Sequence, residues 1–294
     1  MVDVKDQLQK MKMIGLFYLT EQQVKMIDTF DQILLVIFMI SHVSAFIALQ
    51  YESAPYGKFS ENPNFKSKFL IRINGKFVFF HLSFKFSRLG FSIQESASFF
   101  IFIYIIYKYS MITKQFSSYQ WIPTILFPSH YFYRFVIYPL RTHSMSNSNI
   151  LIVLMAFMFT LGNGYLNAKF LVFQNVNDNL ILFYFGLILF FFGFYINFQS
   201  DSILINLRSN STPNQKYFIP NEGFFKYVTS ANYFGEIVEW TGFHLMCWNY
   251  ASIVFLIGTC TNLIPRAIQS RKWYIEKFGD KYPKDRKSIF PFIF

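Results

Sequence analysis

Long apolar runs alternate with short polar stretches along the chain, and most of the runs have the length of a membrane-crossing helix. The first, residues 33–49, is just sufficient for a hydrocarbon core of about 30 Å at about 1.5 Å per residue. Further runs fall at about 89–108, 121–139, 150–173 and 180–198. After a polar stretch holding Asn210, Pro213 and Asn214, helical sequence resumes at about 224–242 and 244–265. The pattern predicts an all-α membrane protein of about seven transmembrane helices. Ahead of them, residues 3–29 mix charged and apolar positions at roughly helical spacing, which fits an interfacial amphipathic helix or a short docking helix. One stretch departs from the helical period. Residues 66–86 set Asn74-Gly75 between two β-prone runs, the signal of a hairpin whose turn needs positive φ. An ordered surface loop is the plain reading of that hairpin, and a substrate lid is the alternative. With no internal repeat and no shift in composition, the chain divides into an N-terminal extension, 1–30, and one membrane domain, 31–294, with an insertion at about 60–88.

Composition strengthens this picture. Of 294 residues, 53% are hydrophobic and 22% aromatic, while 15% are charged, against about 25% charged in soluble domains. The formal net charge of +11 raises nucleic acid as a partner. The basic residues, however, sit in loops and near the C-terminus beside apolar runs, a placement that orientation by the positive-inside bias explains without nucleic acid. That bias puts the basic C-terminal segment on the cytosolic side. The two cysteines, Cys247 and Cys260, and the five scattered histidines have no metal-ligand spacing.

Ionisable groups inside membrane spans are costly and therefore candidate functional residues. Glu95 stands at the head of an apolar run, where a protonated carboxyl can serve as a hydrogen-bond donor; pairing with Lys85 or Arg88 at the membrane edge is the structural alternative. Tyr131, Arg134 and Tyr138 share a helical face at offsets of three and seven, a stripe that suits an oxygen-bearing ligand, or else an aromatic belt with a snorkelling arginine. Asn197, Asp201 and Arg208 share another face, Asn232, Glu236 and Glu239 a third, and Arg266, Ser270 and Tyr274 a fourth. Polar faces on three further helices predict a lined, water-accessible cavity. Arginine for phosphate, with amides and carboxylates for ribose, is the mixture a dinucleotide wants. Gly162-Asn163-Gly164 is not a dinucleotide fingerprint, lacking the third glycine and the preceding strand.

Residues 227–240, YVTSANYFGEIVEW, resemble the signature of the steroid 5α-reductase family, plant members included. The same holds for NLIPRAIQSRKWYIEKFGDKYPKDRKSIFPFIF at 262–294 and, upstream, for APYGK at 54–58, Gln94-Glu95-Ser96, HYFYR at 130–134 and IYPLR at 137–141. The resemblance covers about residues 50–294 and is strongest after Asn197.

It implies a seven-helix fold enclosing NADPH and a flat hydrophobic, sterol-like enone, with hydride passing to the β-carbon. Glu95 and Tyr131 would hold the carbonyl oxygen as catalytic residues. Asn197, Asp201, Arg208, Tyr217, Asn232, Glu236, Arg266 and Tyr274 would hold the cofactor, and Tyr56 and Lys58 would close over it. No metal is implied. The chain departs from the pattern in its longer Tyr56-to-Glu95 segment, in Met155 where several animal members carry arginine, in Ile205, and in Ser270-Arg271. An endoplasmic reticulum membrane follows from the resemblance. A non-catalytic subunit of a membrane assembly, possible in the mitochondrial inner membrane, is a second reading; it draws on the N-terminal extension and the hairpin insertion as partner surfaces. An enoyl-thioester reductase of fatty-acid elongation is a third.

Overall fold

The computed structural model of the chain describes residues 28–51, 71–73, 76–78, 81–82, 84–113, 117, 119–142, 145, 148–174, 176–210, 212, 215 and 217–293. The amphipathic reading of residues 3–29 thus falls almost wholly outside the described residues, as do Tyr56, Lys58 and the Asn74-Gly75 turn.

Helix α1 spans Thr29–Tyr51, and α2 spans Phe84–Thr113. Between them, β1 (Ile71–Ile73) and β2 (Lys76–Val78) pair antiparallel with Ile73 opposite Lys76. A second ladder joins β3 (His81–Leu82) to β4 (Ser148–Asn149). Helix α3, Trp121–Phe132, runs through a π-turn, Tyr133–Ile137, into α4, Tyr138–Arg141. Then follow α5 (Ile150–Phe173), α6 (Leu180–Ser209), a 3₁₀ turn at Gly223–Lys226, α7 (Ala231–Cys247) and α8 (Tyr250–Phe278).

Each predicted run is helical, but α6 runs on to Ser209 and α8 to Phe278, and the boundaries of α7 move as well. Helix α7 starts at Ala231 instead of about 224, because 223–226 close into a separate 3₁₀ turn. It ends at Cys247, where Trp248 turns left-handed at φ 47°. Asn249 then opens α8 with a reciprocal capping box, its side chain accepting from the Ser252 amide at 2.9 Å. Asn179 caps α6 in a similar way, accepting from the amides of Ile181 and Leu182.

Among the described residues, four helices are long and apolar enough to cross a membrane: Thr29–Gln50, Ser87–Tyr109, Leu180–Ser209 and Tyr250–Lys281. Their outward faces carry large apolar side chains, such as Ile33, Ile37, Ile40 and Ile47 on α1 and Phe185, Ile188, Phe192 and Tyr195 on α6. Apolar surface of that extent suits lipid and not water. The chain is a membrane protein.

Helices α6 and α7 pack along most of their lengths, as do α2 and α5. Glycine makes the first seam possible: a Cβ on Gly235 would lie 2.6 Å from the Asn197 amide nitrogen and 2.8 Å from the Gly193 carbonyl. The main core joins Phe102, Phe127, Phe183, Phe190, Trp240, Phe243 and Phe255, with Phe102 stacked on Phe127 at 4.4 Å. Helix α1 is latched by charge as well as packing. Lys169 of α5 is buried and bonds Asp31 at 2.6 Å and Asp28 at 3.0 Å, while the Tyr165 hydroxyl donates to Asp31 at 2.8 Å. The segment after α8 returns to clasp the start of α7: the Thr229 amide donates to the Lys287 carbonyl at 2.8 Å, and the Lys287 amide to that of Tyr227 at 3.0 Å.

Candidate active site

Three helices converge on Tyr131. Helix α2 offers Glu95 and, one turn on, Ser98. Helix α5 approaches this turn so closely that a Cβ on Gly164 would lie 2.5 Å from the Ser98 carbonyl oxygen. The Thr160 hydroxyl bonds the Gln94 carbonyl and fixes the register of the two helices. That register sets Asn163 beside α3, where its Nδ2 donates to the Tyr131 hydroxyl at 2.9 Å. Tyr131 is buried, with the Ser98 hydroxyl and the half-buried Glu95 carboxyl as neighbours. The Gln94 amide donates to Glu95 at 3.2 Å. Behind the phenol stands an aromatic wall: Phe127 at 4.9 Å and Trp240 at 6.1 Å between ring centroids. Tyr131 and Glu95, the two residues predicted to hold a carbonyl oxygen, thus lie on the neighbouring helices α3 and α2, within electrostatic range of one another.

The next group is built around Arg134. Its guanidinium is within electrostatic range of Glu95, Glu236 and Asp201, and lies against the rings of Phe91 at 5.1 Å and Tyr138 at 5.3 Å. Asp201 is buried, 3.9 Å from Arg134 Nη1, and accepts from the Tyr133 hydroxyl at 3.2 Å. Arg141 in turn donates to that hydroxyl at 3.2 Å and to Ser202 at 2.6 Å. Tyr133 and Arg141 meet at an offset of eight, where an α-helix would align offset seven; the π-turn between them accounts for the extra residue. Asn197 bonds the Asn232 carbonyl at 3.1 Å, joining α6 to the start of α7. Glu239, placed in the sequence on one face with Asn232 and Glu236, instead turns into the core. It is fully buried and pairs with His130 Nδ1 at 2.7 Å.

A third group lies where α6 ends. Arg208 and Tyr217 are neighbours of the Tyr274 hydroxyl, along with Tyr282 and Arg286. Tyr274 stacks on Phe278 and on Tyr282, and Tyr217 packs edge-on to Trp273 at 4.9 Å. Arg208 is also within electrostatic range of Asp201, so a series of polar groups runs from Tyr131 past Arg134 and Asp201 toward Tyr274. Arg266 is held on Tyr233 by a 2.7 Å bond to its hydroxyl and by its ring. Sequence reading left Asn163 and His130 without a role in the site, put Glu239 on a cavity-lining face, and left Arg134 as part of a stripe.

The series holds guanidinium groups, phenols, amides and carboxyls, the kinds of group that can bind phosphate and ribose. The family model for 3-oxo-5-alpha-steroid 4-dehydrogenase matches residues 146–294. That stretch includes Asn163 and every described residue predicted for the cofactor, and it begins after Glu95 and Tyr131. "Steroid 5-alpha-reductase DET2" of Solanum lycopersicum is 40% identical over 172 residues, covering 56% of this chain and 66% of that protein. The Arabidopsis thaliana protein of the same name is 41% identical over 176 residues, with 56% and 66% covered. "3-oxo-5-alpha-steroid 4-dehydrogenase 1" of Homo sapiens is 41% identical over 175 residues, with 58% and 66% covered. The chain thus spans just under two thirds of the length of these relatives. With half of its length matched by the family model, the chain belongs to the 3-oxo-5-alpha-steroid 4-dehydrogenase family.

Proposed function

We propose that this chain is an NADPH-dependent reductase of the conjugated double bond of a 3-oxo-4-ene steroid or similar lipid enone. What supports the reading is the buried Tyr131 phenol, within electrostatic range of the Glu95 carboxyl on the neighbouring helix and backed by Phe127 and Trp240. A carbonyl oxygen set there receives hydrogen bonds from both groups, and the aromatic wall keeps water from competing for them.

When bound, NADPH supplies a hydride to the β-carbon of the enone. The chain's own part would be to hold the carbonyl so that, as the pair of the double bond shifts toward the carbonyl carbon and negative charge develops on oxygen, Glu95 and Tyr131 stabilise the enolate. Return of that pair to the α-carbon with a proton completes the saturated ketone. Asn197, Asp201, Asn232 and Glu236 would hold the ribose and amide portions, and Arg208, Tyr217 and Tyr274 the phosphates. The reading includes seven membrane crossings formed by residues 31–294, entry of the substrate from the lipid, and an endoplasmic reticulum membrane.

The test is NADPH oxidation by the purified, detergent-solubilised chain with a panel of 4-en-3-one steroids. Turnover by the wild type is expected, with a loss of at least about a hundredfold in kcat for the Glu95→Gln, Tyr131→Phe double variant. A folded wild-type protein that binds no NADPH and consumes no enone would sink the proposal.

A further inference from the structure

The amide of Asn163 is held in one orientation by a chain of bonds that ends on a main-chain carbonyl. Asn167 Nδ2 donates to the Asn163 backbone oxygen at 3.0 Å and to Asn163 Oδ1 at 2.9 Å. A carbonyl can only accept, so the group facing it must be the Asn167 nitrogen. That nitrogen also fixes the oxygen side of the Asn163 amide. Its Nδ2 therefore faces Tyr131, and the phenolic oxygen accepts from it at 2.9 Å. Both asparagines are buried, and Asn167 Oδ1 has no partner among the described residues. The alternative orientation of Asn167 would set its oxygen against two acceptors. Once the Tyr131 oxygen accepts from Asn163, the hydroxyl hydrogen cannot be spent on that amide and is left for another acceptor.

The structure assigns Asn163, steered by Asn167, as a positioning residue that turns the Tyr131 phenolic hydrogen toward the substrate carbonyl. The assignment rests on the reading of Tyr131 as a carbonyl-holding group. It also gives a chemical reason for amides at both positions. A carboxylate at 163 would accept the phenolic hydrogen and withdraw it from the substrate. An apolar residue would leave the hydroxyl free to rotate, and an accepted bond also polarises the O–H and strengthens it as a donor.

The experiment uses the full chain in detergent with whichever 4-en-3-one steroid the wild type turns over. For Asn163→Asp, kcat at neutral pH is expected to fall about ten- to a hundredfold, while the KM values for steroid and NADPH change by less than about threefold. Lowering the pH should recover part of the loss, because a protonated carboxyl can donate in place of the amide. In a Tyr131→Phe background the same substitution should change kcat by less than about twofold, since there is no hydroxyl to position. Asn167→Ala, which leaves Asn163 in place, should give a smaller fall in kcat with the same insensitivity in the Tyr131→Phe background. Equal losses in both backgrounds, or an unchanged kcat in Asn163→Asp, would overturn the assignment. A wild type inactive on every enone would instead overturn the reading of the site on which it rests.

Discussion

Around Arg134 lie three carboxyl groups, Glu95, Glu236 and Asp201, on three different helices. A buried carboxyl such as Asp201, 3.9 Å from Arg134, is tolerated as a charge only when paired, and removal of its partner leaves it uncompensated. Arg134→Met is therefore expected to lower stability by about 3 kcal/mol, read as a fall in the thermal midpoint of the detergent-solubilised protein. Arg134→Lys should lie between the two, keeping the charge but losing the flat face set against Phe91 and Tyr138. The same residues mark the reach of sequence reading. Glu95, Tyr131 and Asp201 declare themselves because ionisable or phenolic groups inside apolar runs are rare. Asn163 does not, because Gly162-Asn163-Gly164 excludes a dinucleotide fingerprint and says nothing of a partner 32 residues away. The His130–Glu239 pair joins residues 109 apart, a separation that no local periodicity carries.

Between elements, the seam of α6 and α7 sets how Asn197 meets Asn232. Gly235→Ala would put a methyl group against the Asn197 amide nitrogen, with main chain on both sides and no flexible atom to yield. A loss of about 1–3 kcal/mol is expected, together with weaker NADPH binding; a variant with wild-type melting and affinity would show that the seam can relax. The latch on α1 gives a second prediction. Lys169→Met leaves the fully buried Asp31 without its ammonium partner, and should release α1 amides to faster hydrogen exchange. Burial works against the charge of Asp28, but the Asp31 backbone N–H and Lys169 more than offset it, so its carboxyl sits below the ordinary 3.8. Its contribution is accordingly complete above that ordinary value and is lost as pH falls through the lowered one. Protection of the α1 amides, taken relative to their intrinsic exchange rate at each pH, should therefore stay constant near neutrality and fall only in strong acid. At this scale the apolar runs announce the helices well, because length and hydropathy are local. The breaks are harder. Residues 224–230 are rich in aromatic side chains and look helical, yet they form a 3₁₀ turn and a clasped strand-like segment. The Asn249 to Ser252 spacing is the one cue to the true start of α8.

For the molecule as a whole, the outward apolar faces of α1 and α6 tie its fold to a lipid or detergent surround, and the core around Phe127, Trp240 and Phe255 ties α3, α7 and α8 into one body. The polar series from Tyr131 to Tyr274 crosses that body from helix to helix, so no single segment of the chain carries the site. The clasp on α7 has a bearing on how the protein is made. Thr229, two residues before α7, is bonded to Lys287, 58 residues later in the chain. While a ribosome is still adding α8, the start of α7, which carries Asn232 and Glu236, lacks this restraint. The nascent chain can place its apolar helices in the membrane one after another, but the polar series closes only when residues 287–288 have emerged and returned. A stall in synthesis between α8 and that point would leave an inserted protein in which the start of α7 is still unclasped.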